Sequence, residues 1–175
     1  MIRHLTPADY RRQPWANGRG VTVELARADG PQGLLWRLSM ATVAEDGPFS
    51  LFPGIERNLT VISGPGFRLS GEGIALNAGP LAPVAFPGDV PVAATHVTAP
   101  SEDFNVMTAR HLPRPEVAVV SGEARIEAGG LLAVFALATA HATGRNLGRH
   151  DLILTSTPLH LVGTALVVRL AEPAA

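Results

Sequence analysis

Glycine and proline interrupt this chain at short intervals, with 18 glycines and 15 prolines in 175 residues. Such spacing leaves little room for long helices and favours short strands joined by turns. The residues between the breaks alternate as in strands, since Val21, Val23 and Leu25 in VTVELA fall on one face. Further predicted strands are WRLSMATV, NLTVIS, FRLSG, EVAVVSG, LLAVFALA, HDLILTS and TALVVRLA. The sequence therefore predicts an all-β protein.

The composition excludes several kinds of chemistry. With 46% hydrophobic and 17% charged residues, the chain has the composition of a compact globular protein. All 14 basic residues are arginines, and cysteine is absent as well as lysine. This excludes Schiff-base and P-loop lysines, thiol nucleophiles, disulfides and thiolate metal sites. The net charge of -1 argues against binding to nucleic acid, which usually requires a basic surface.

No segment has the length and hydrophobicity of a membrane span. The first fifteen residues lack the apolar core of a signal peptide. The longest apolar run, LLAVFALATA at 131–140, is far shorter than the ~18 residues that cross a bilayer. We therefore expect a cytoplasmic protein that does not enter a membrane.

A weak internal repeat of strands and turns indicates two halves. The boundary is predicted near RHLPRP at 110–115, where two prolines would interrupt strand pairing. The first half would comprise residues 1–110 approximately and the second half residues 111–175. We expect the two halves to pack as a single unit over 1–175.

Motifs for catalysis and metal binding are missing. The sequence contains no nucleophile elbow, dinucleotide-binding loop, zinc-protease helix or EF-hand loop. Its histidines never stand at H-x-H or H-x-x-x-H spacing; they are His4, His96, His111, His141, His150 and His160. We therefore predict neither a metal ion nor another cofactor.

Arg57 is the first candidate for ligand binding. It follows the tight turn of FPGIE and enters the predicted strand NLTVIS. An arginine projecting into a barrel needs an anion nearby, because an unpaired buried charge costs several kcal/mol. That anion could be a ligand carboxylate or an internal Asp or Glu, and an ordinary salt-bridged surface arginine is the alternative.

Polar residues on two other strands could line the same cavity. Thr22 and Glu24 alternate with apolar residues in VTVELA, and Arg37 and Ser39 do so in WRLSMATV. In an open sheet these side chains would face solvent, whereas in a closed barrel they would line its interior. Glu24 could pair with Arg37 across the strands.

Turn segments supply the remaining candidates. Trp15 and Asn17 lie in PWANGRG, Asp89 follows the Pro-Gly turn of FPGD, and Asp103 and Asn105 share one face of DFNVM. Asp89, Asp103 and Asn105 could contact a ligand or serve a loop alone, Asn17 favours a turn, and Trp15 is either a core anchor or a lid.

The segments WANGRGVTVE, WRLSMA, GPFSLFPGIER, FPGD and DFNVM, in this order, resemble the HutD/Ves family of bacterial proteins. The resemblance covers most of residues 10–110 and becomes looser beyond about 115. It implies a bicupin fold, with two cupin-like β-barrels in one chain, and an association with histidine utilisation. No catalytic activity is established for the family.

The resemblance also implies that the cupin metal site has lost its ligands. In the first cupin motif the two histidine positions correspond to Ser50 and Phe52, and the glutamate position corresponds to Arg57. In the second motif the histidine position corresponds to Pro91. An arginine in place of a glutamate favours an anion over a cation, and its fork suits a carboxylate.

From these observations and the resemblance, we predict a metal-free bicupin that binds a small carboxylate metabolite and modulates histidine utilisation. The implied ligands are urocanate, formiminoglutamate and formylglutamate. An enzyme (lyase, isomerase or amidohydrolase) with Glu24 or Asp103 as the base is one alternative, and a non-catalytic interaction module is another. A homodimer is left open. The predicted ligand-binding residues are Arg57, Arg37, Ser39, Thr22, Glu24, Asn17, Trp15, Phe49, Asp89, Asp103 and Asn105. The cavity is expected in the first half, and the second half is expected to have a filled apolar interior.

Overall fold

The computed structural model describes residues 1–15, 18 and 20–171. Apart from a 3-10 turn at Pro7–Asp9, the regular structure of these residues consists of β-strands. The prediction of an all-β protein is therefore confirmed. The chain divides into a first unit of residues 11–112 and a second unit of residues 1–10 with 113–175.

The first unit contains two antiparallel sheets. One has the strand order β2-β3-β4-β11-β6-β9 and the other has the order β5-β10-β7-β8. The strands are β2 (Arg11–Pro14), β3 (Val21–Gly30), β4 (Gly33–Val43), β5 (Gly47–Pro48), β6 (Ile55–Ser63), β7 (Phe67–Gly71), β8 (Ile74–Ala78), β9 (Val84–Pro87), β10 (Val92–Thr95) and β11 (Ser101–Ala109).

An apolar cluster joins the two sheets of the first unit. Leu59 and Val61 from the larger sheet pack with Phe67 and Leu69 from the smaller one, and all four are nearly inaccessible to solvent. Because side chains alternate along a strand, Arg57 faces the same side of β6 as Leu59 and Val61. The interior of the unit is therefore apolar at one end and polar at the other.

The register of three neighbouring strands sets the polar end. Arg37 on β4, Met107 on β11 and Arg57 on β6 form one cross-strand row. Ser39, Asn105 and Leu59 form the next row, followed by Ala41, Asp103 and Val61. These rows bring together residues up to 70 positions apart, from 37 to 107. All of them face the interior of the first unit.

The second unit is built around a seven-stranded sheet with the order β1-β16-β13-β17-β14-β15, in which β12 also pairs with β17. The strands are β1 (Ile2–Leu5), β12 (Glu116–Ile126), β13 (Leu131–Ala136), β14 (Ala140–Ala142), β15 (Arg145–Leu147), β16 (Leu152–Thr155) and β17 (Leu159–Leu170). Its buried core is apolar and includes Leu132, Val134, Ile153, Leu161 and Val167.

The boundary between the units falls after Leu112 and so lies within the RHLPRP segment. The division differs from the expected halves at the N-terminus, because residues 1–10 belong to the second unit. Strand β1 pairs antiparallel with β16, with Ile2 opposite Thr155. A pairing across about 150 residues leaves no signature in the local sequence. The closure of each unit into a complete cupin barrel stays a prediction.

Within the part of the chain that the structure describes, no helix has the length and hydrophobicity needed to cross a membrane.

Candidate functional site

The first unit contains a partly open cavity of about 370 Å³. It is bounded by the inward faces of β3, β4, β6 and β11 and by the segment that precedes β6. Its walls are partly apolar and partly polar. The lining residues are Trp15, Thr22, Arg37, Ser39, Ala41, Val43, Pro48, Phe49, Ser50, Phe52, Arg57, Asp103, Asn105 and Met107.

Arg57 is held in this cavity with only 7% of its surface exposed. Its Nη2 donates a hydrogen bond of 2.8 Å to Oδ1 of Asn105. The guanidinium carbon lies 5.1 Å from the ring centres of Phe49 and Phe86 and 5.3 Å from that of Phe52. The buried Nε has no hydrogen-bond partner among the described residues. Arg57 is thus surrounded by aromatic faces and is incompletely hydrogen-bonded.

The pKa of Arg57 reflects this environment. It is lowered from 12.5 to about 10, mainly by burial and to a smaller extent by Arg37, while Asp103 acts in the opposite direction. At neutral pH Arg57 therefore remains a cation. The aromatic faces stabilise the charge, since cation–π contacts are worth about 0.5 to 2 kcal/mol each.

Two FPG segments position Arg57. Phe52 and Gly88 are joined by a backbone hydrogen bond of 2.7 Å, and a second bond of 2.7 Å joins Gly88 to Ile55. A Cβ atom at Gly88 would lie 2.9 Å from the carbonyl oxygen of Phe52 and 2.8 Å from that of Ile55. Glycine at position 88 therefore permits the close approach that fixes the turn from which β6 and Arg57 begin.

Asp103 and Asn105 lie beside Arg57 on β11. Nδ2 of Asn105 donates to Oδ1 of Asp103, while Oδ1 of Asn105 accepts from Arg57. Asp103 is 1% exposed, and burial raises its pKa from 3.8 to about 7. Arg57 and Asn105 oppose this shift, and Glu102 adds to it. Near neutral pH the carboxyl of Asp103 is divided between its charged and neutral forms.

Arg37, by contrast, is paired within the protein. Its Nε donates to Oε2 of Glu24 at 2.7 Å, and its Nη2 donates to Oε1 of Gln13 at 3.0 Å. The predicted pairing of Glu24 with Arg37 is present. The Glu24 carboxylate neutralises Arg37, so Arg57 is the cavity arginine without an ion pair among the described residues.

Trp15 is fixed at the edge of the cavity by two contacts. Its Nε1 donates to Oγ1 of Thr22 at 2.9 Å. Its ring lies against Gly20, where an added Cβ would be 2.7 Å from the nearest ring carbon. The indole is therefore held in one position.

Most of the predicted ligand-binding residues meet at this cavity. Those that line it are Trp15, Thr22, Arg37, Ser39, Phe49, Arg57, Asp103 and Asn105. Glu24 does not line it and instead bonds to Arg37. Asp89 also lies outside it, because two hydrogen bonds of 2.8 Å tie its carboxylate to Arg110 and lower its pKa to about 2. Asn17 lies outside the described residues.

Several contributing residues were not predicted. Met107, Ala41 and Val43 line the cavity, and strand alternation from Asn105 and Ser39 could have identified them. Phe86 contacts Arg57, and Gln13 contacts Arg37. No sequence signal indicates these last two, because each contact depends on which strands are neighbours.

Of the positions that the resemblance assigns to the cupin metal ligands, those of the first motif line the cavity and that of the second motif does not. Ser50, Phe52 and Arg57 all line the cavity, so the three positions of the first motif lie close together, as they would around a metal ion. Pro91 is not among the lining residues. The described part of the chain contains no group of three or more His, Cys, Asp or Glu side chains placed to hold a metal ion.

The family model for HutD matches residues 7–168. An uncharacterized 21.2 kDa protein in the hutC 3' region of Pseudomonas putida is 34% identical over 153 residues, which cover 85% of this chain and 80% of that protein. Protein Ves of Citrobacter koseri is 37% identical over 119 residues, covering 63% of this chain and 61% of its own length.

A solved structure of HutD from Pseudomonas fluorescens SBW25, in a formate condition, superposes with a TM-score of 0.90. The two sequences are 32% identical, and the match covers 99% of this chain and 100% of that one. The similarity extends through both units, and the fold is cupin-like.

Proposed function

The chain belongs to the HutD family, and from this premise we propose that its first unit binds a small carboxylate metabolite without a metal ion and thereby modulates histidine utilisation. The observation behind the proposal is the buried cation of Arg57, which lines the cavity and has only the neutral amide of Asn105 as a hydrogen-bond partner among the described residues. A carboxylate bound in the cavity would supply the negative charge that pairs with it.

The charge distribution favours an anion at Arg57. Glu24 compensates Arg37, whereas Asn105 offers Arg57 only a neutral amide oxygen. Burying an unpaired charge costs several kcal/mol, so a ligand that pairs with Arg57 gains from a site already formed. The planar fork of arginine can donate two parallel hydrogen bonds to one carboxylate.

The size of the cavity fits a small metabolite. Its 370 Å³ lies near the lower end of the ~300–1,000 Å³ usual for ligand sites. Phe49, Phe52 and Trp15 supply apolar walls, and Ser39 and Thr22 supply hydroxyl groups. This combination of apolar walls with a few polar groups is typical of sites for small organic ligands.

The link to histidine utilisation rests on the relatives. One lies in the hutC 3' region of Pseudomonas putida, and another is named HutD. Urocanate, formiminoglutamate and formylglutamate, intermediates of histidine breakdown, all carry a carboxylate. The proposal places their binding in the cytoplasm. Formate, named in the condition of the related structure, is the smallest carboxylate and a suitable probe.

A thermal-shift screen in the presence of a chelator tests the proposal. Formate, acetate and the three histidine-derived acids are compared with neutral amides such as formamide and acetamide. A carboxylate at about 100 times its dissociation constant should stabilise the protein by about 2.7 kcal/mol, or roughly 5 to 10 °C. Stabilisation by the acids and not by the amides is expected. No shift with any acid, or an equal shift with the amides, would contradict the proposal.

Asp103 favours a second candidate function. A buried carboxyl that lines a cavity and has a pKa of about 7 is suited to general acid–base chemistry near neutral pH. The chain would then be a lyase, isomerase or amidohydrolase acting on a small carboxylate. Turnover of the three acids, followed by mass spectrometry on wild type and Asp103→Asn, separates this candidate from simple binding. It requires turnover in wild type that the variant loses.

A further inference from the structure

We infer that the ligand is bipolar: besides the carboxylate held by Arg57 it carries a nitrogen that donates a hydrogen bond, and Asp103 accepts this bond. The inference deepens the proposed function, because the carboxylate end of the ligand depends on it. It adds a second recognition element and a ligand class, small acids that bear an N–H group.

Asp103 has the properties of an acceptor that awaits a donor. It is the one acidic side chain among the described residues that line the cavity, and it is 1% exposed. Its hydrogen bond comes from Asn105. No arginine or histidine of the described chain forms an ion pair with it. A buried carboxylate in this position lacks the donors that usually accompany a buried charge.

Asn105 links the two charged groups. Its Oδ1 accepts from Arg57 and its Nδ2 donates to Asp103. The two bonds also fix which way the amide points. Asn105 therefore separates a donor, Arg57, from an acceptor, Asp103, and holds each of them in place.

The register places the two groups two cross-strand rows apart in the cavity wall. Arg57 stands in the row with Met107, while Asp103 stands two rows further along β11. Four residues of a strand span ~13 Å, but the Arg57 side chain reaches back to Asn105, one row from Asp103. A short ligand can therefore contact both groups, with its carboxylate at one end and its donor at the other.

A ligand that carries only a carboxylate fits the site less well. Its charge would compete with Asp103 for the single cation of Arg57, and the two anions would repel each other at short range. A nitrogen that donates to Asp103 replaces this repulsion with a hydrogen bond to a charged acceptor, which contributes more than a bond between neutral groups. The electrostatics of the cavity therefore favour the bipolar ligand.

The experiment uses two probes that differ in one ring atom, pyrrole-3-carboxylate and furan-3-carboxylate. The pyrrole N–H donates a hydrogen bond and does not titrate near neutral pH, whereas the furan oxygen cannot donate. Calorimetry at pH 8 compares wild type with Asp103→Asn. Glu102→Gln is the matched control, since it makes the same chemical change at the next residue of β11, outside the cavity lining.

Wild type and Glu102→Gln should bind the pyrrole at least about tenfold more tightly than the furan. Asp103→Asn should reduce this preference to within about threefold and leave the affinity for the furan equal or stronger. Lowering the pH to 5.5 should reduce the preference in wild type, because Asp103 becomes protonated. Equal affinity of wild type for the two probes at pH 8, or an undiminished preference in Asp103→Asn, would overturn the inference.

Failure of the proposed function gives a different result. If wild type binds neither probe, or if Arg57→Ala binds both as wild type does, the carboxylate site is absent and the inference falls with it. If both probes bind through Arg57 without a preference, the proposed function stands and the bipolar ligand is rejected. Thermal melts of each variant establish that it is folded.

Discussion

Arg57 lies in the cavity beside Ser50 and Phe52. Its contacts with Phe86 and Asn105 come from positions 29 and 48 residues further along the chain. Strand pairing brings these residues together, since Phe86 on β9 lies opposite Arg57 on β6, which also pairs with β11.

At Asp103 the expected effect is a dependence of stability on pH. In the unfolded chain this carboxyl ionises near its ordinary pKa of 3.8, and in the folded protein near 7. Between these values the folded protein holds the extra proton, so the free energy of unfolding falls as the pH rises. The loss is complete above about pH 7 and amounts to a few kcal/mol, at about 1.4 kcal/mol per pKa unit.

Asp103→Asn should therefore be more stable relative to wild type at pH 8 than at pH 4.5. Urea unfolding at both pH values measures this difference. Glu102→Gln serves as the control and should reproduce only a small part of it, because Glu102 is the smallest of the influences on the pKa of Asp103. A difference between Asp103→Asn and wild type that is the same at both pH values would show that burial does not raise the pKa of Asp103.

At the scale of the elements, individual strands could be predicted more easily than the pairing between them. The segments NLTVIS, FRLSG and LLAVFALA overlap β6, β7 and β13. Alternation separated Trp36, Leu38 and Met40 from Arg37 and Ser39, but both faces of β4 are buried, and the polar face lines the cavity. Which face points inward depends on barrel-like closure, a property of the whole sheet.

The two FPG segments were likewise recognisable as turns, but their contact with each other was not. We expect Gly88→Ala to destabilise the first unit by about 1 to 3 kcal/mol, because the new Cβ would lie within 2.9 Å of two carbonyl oxygens. It should also weaken carboxylate binding, since the turn that precedes Arg57 must move.

Gly79→Ala is the matched control, because a Cβ there has nothing within 4 Å and its φ is not left-handed. Urea unfolding of both variants, followed by titration with formate, gives the comparison. If Gly88→Ala were as stable as Gly79→Ala and bound formate as well, the contact between the two turns would have no role in placing Arg57.

At the scale of the whole molecule, the two units differ in their interiors. The described cavity lies in the first unit, as expected from the polar residues around Arg57. The second unit has the apolar core cluster expected from LLAVFALA. The assignment of β1 to the second unit could not be predicted, because its partner strand lies about 150 residues away.

The whole protein is expected to carry no transition metal. Ser50, Phe52 and Arg57, which the resemblance assigns to the cupin ligand positions, line the cavity, and no cluster of metal-binding side chains occurs within the described chain. Elemental analysis after purification without chelators should give far less than one zinc, iron, nickel or manganese per chain. About one metal per chain, retained through dialysis, would contradict this expectation.

The most direct test of the anion site is calorimetry of urocanate, formiminoglutamate and formylglutamate binding to wild type, Arg57→Ala and Arg57→Lys. Arg68→Ala, which changes an exposed arginine of the smaller sheet, is the control. Wild type should bind at least one of these acids with a dissociation constant near the micromolar range, about -8 kcal/mol.

Arg57→Ala should weaken that binding by at least about tenfold, because a hydrogen bond to a charged group contributes roughly 1.5 to 3 kcal/mol. Arg57→Lys should recover only part of the loss, since a lysine keeps the charge without the fork. Arg68→Ala should bind as wild type does. Equal affinity of wild type and Arg57→Ala for an acid that binds would contradict the central claim that this arginine has turned a metal position into an anion site.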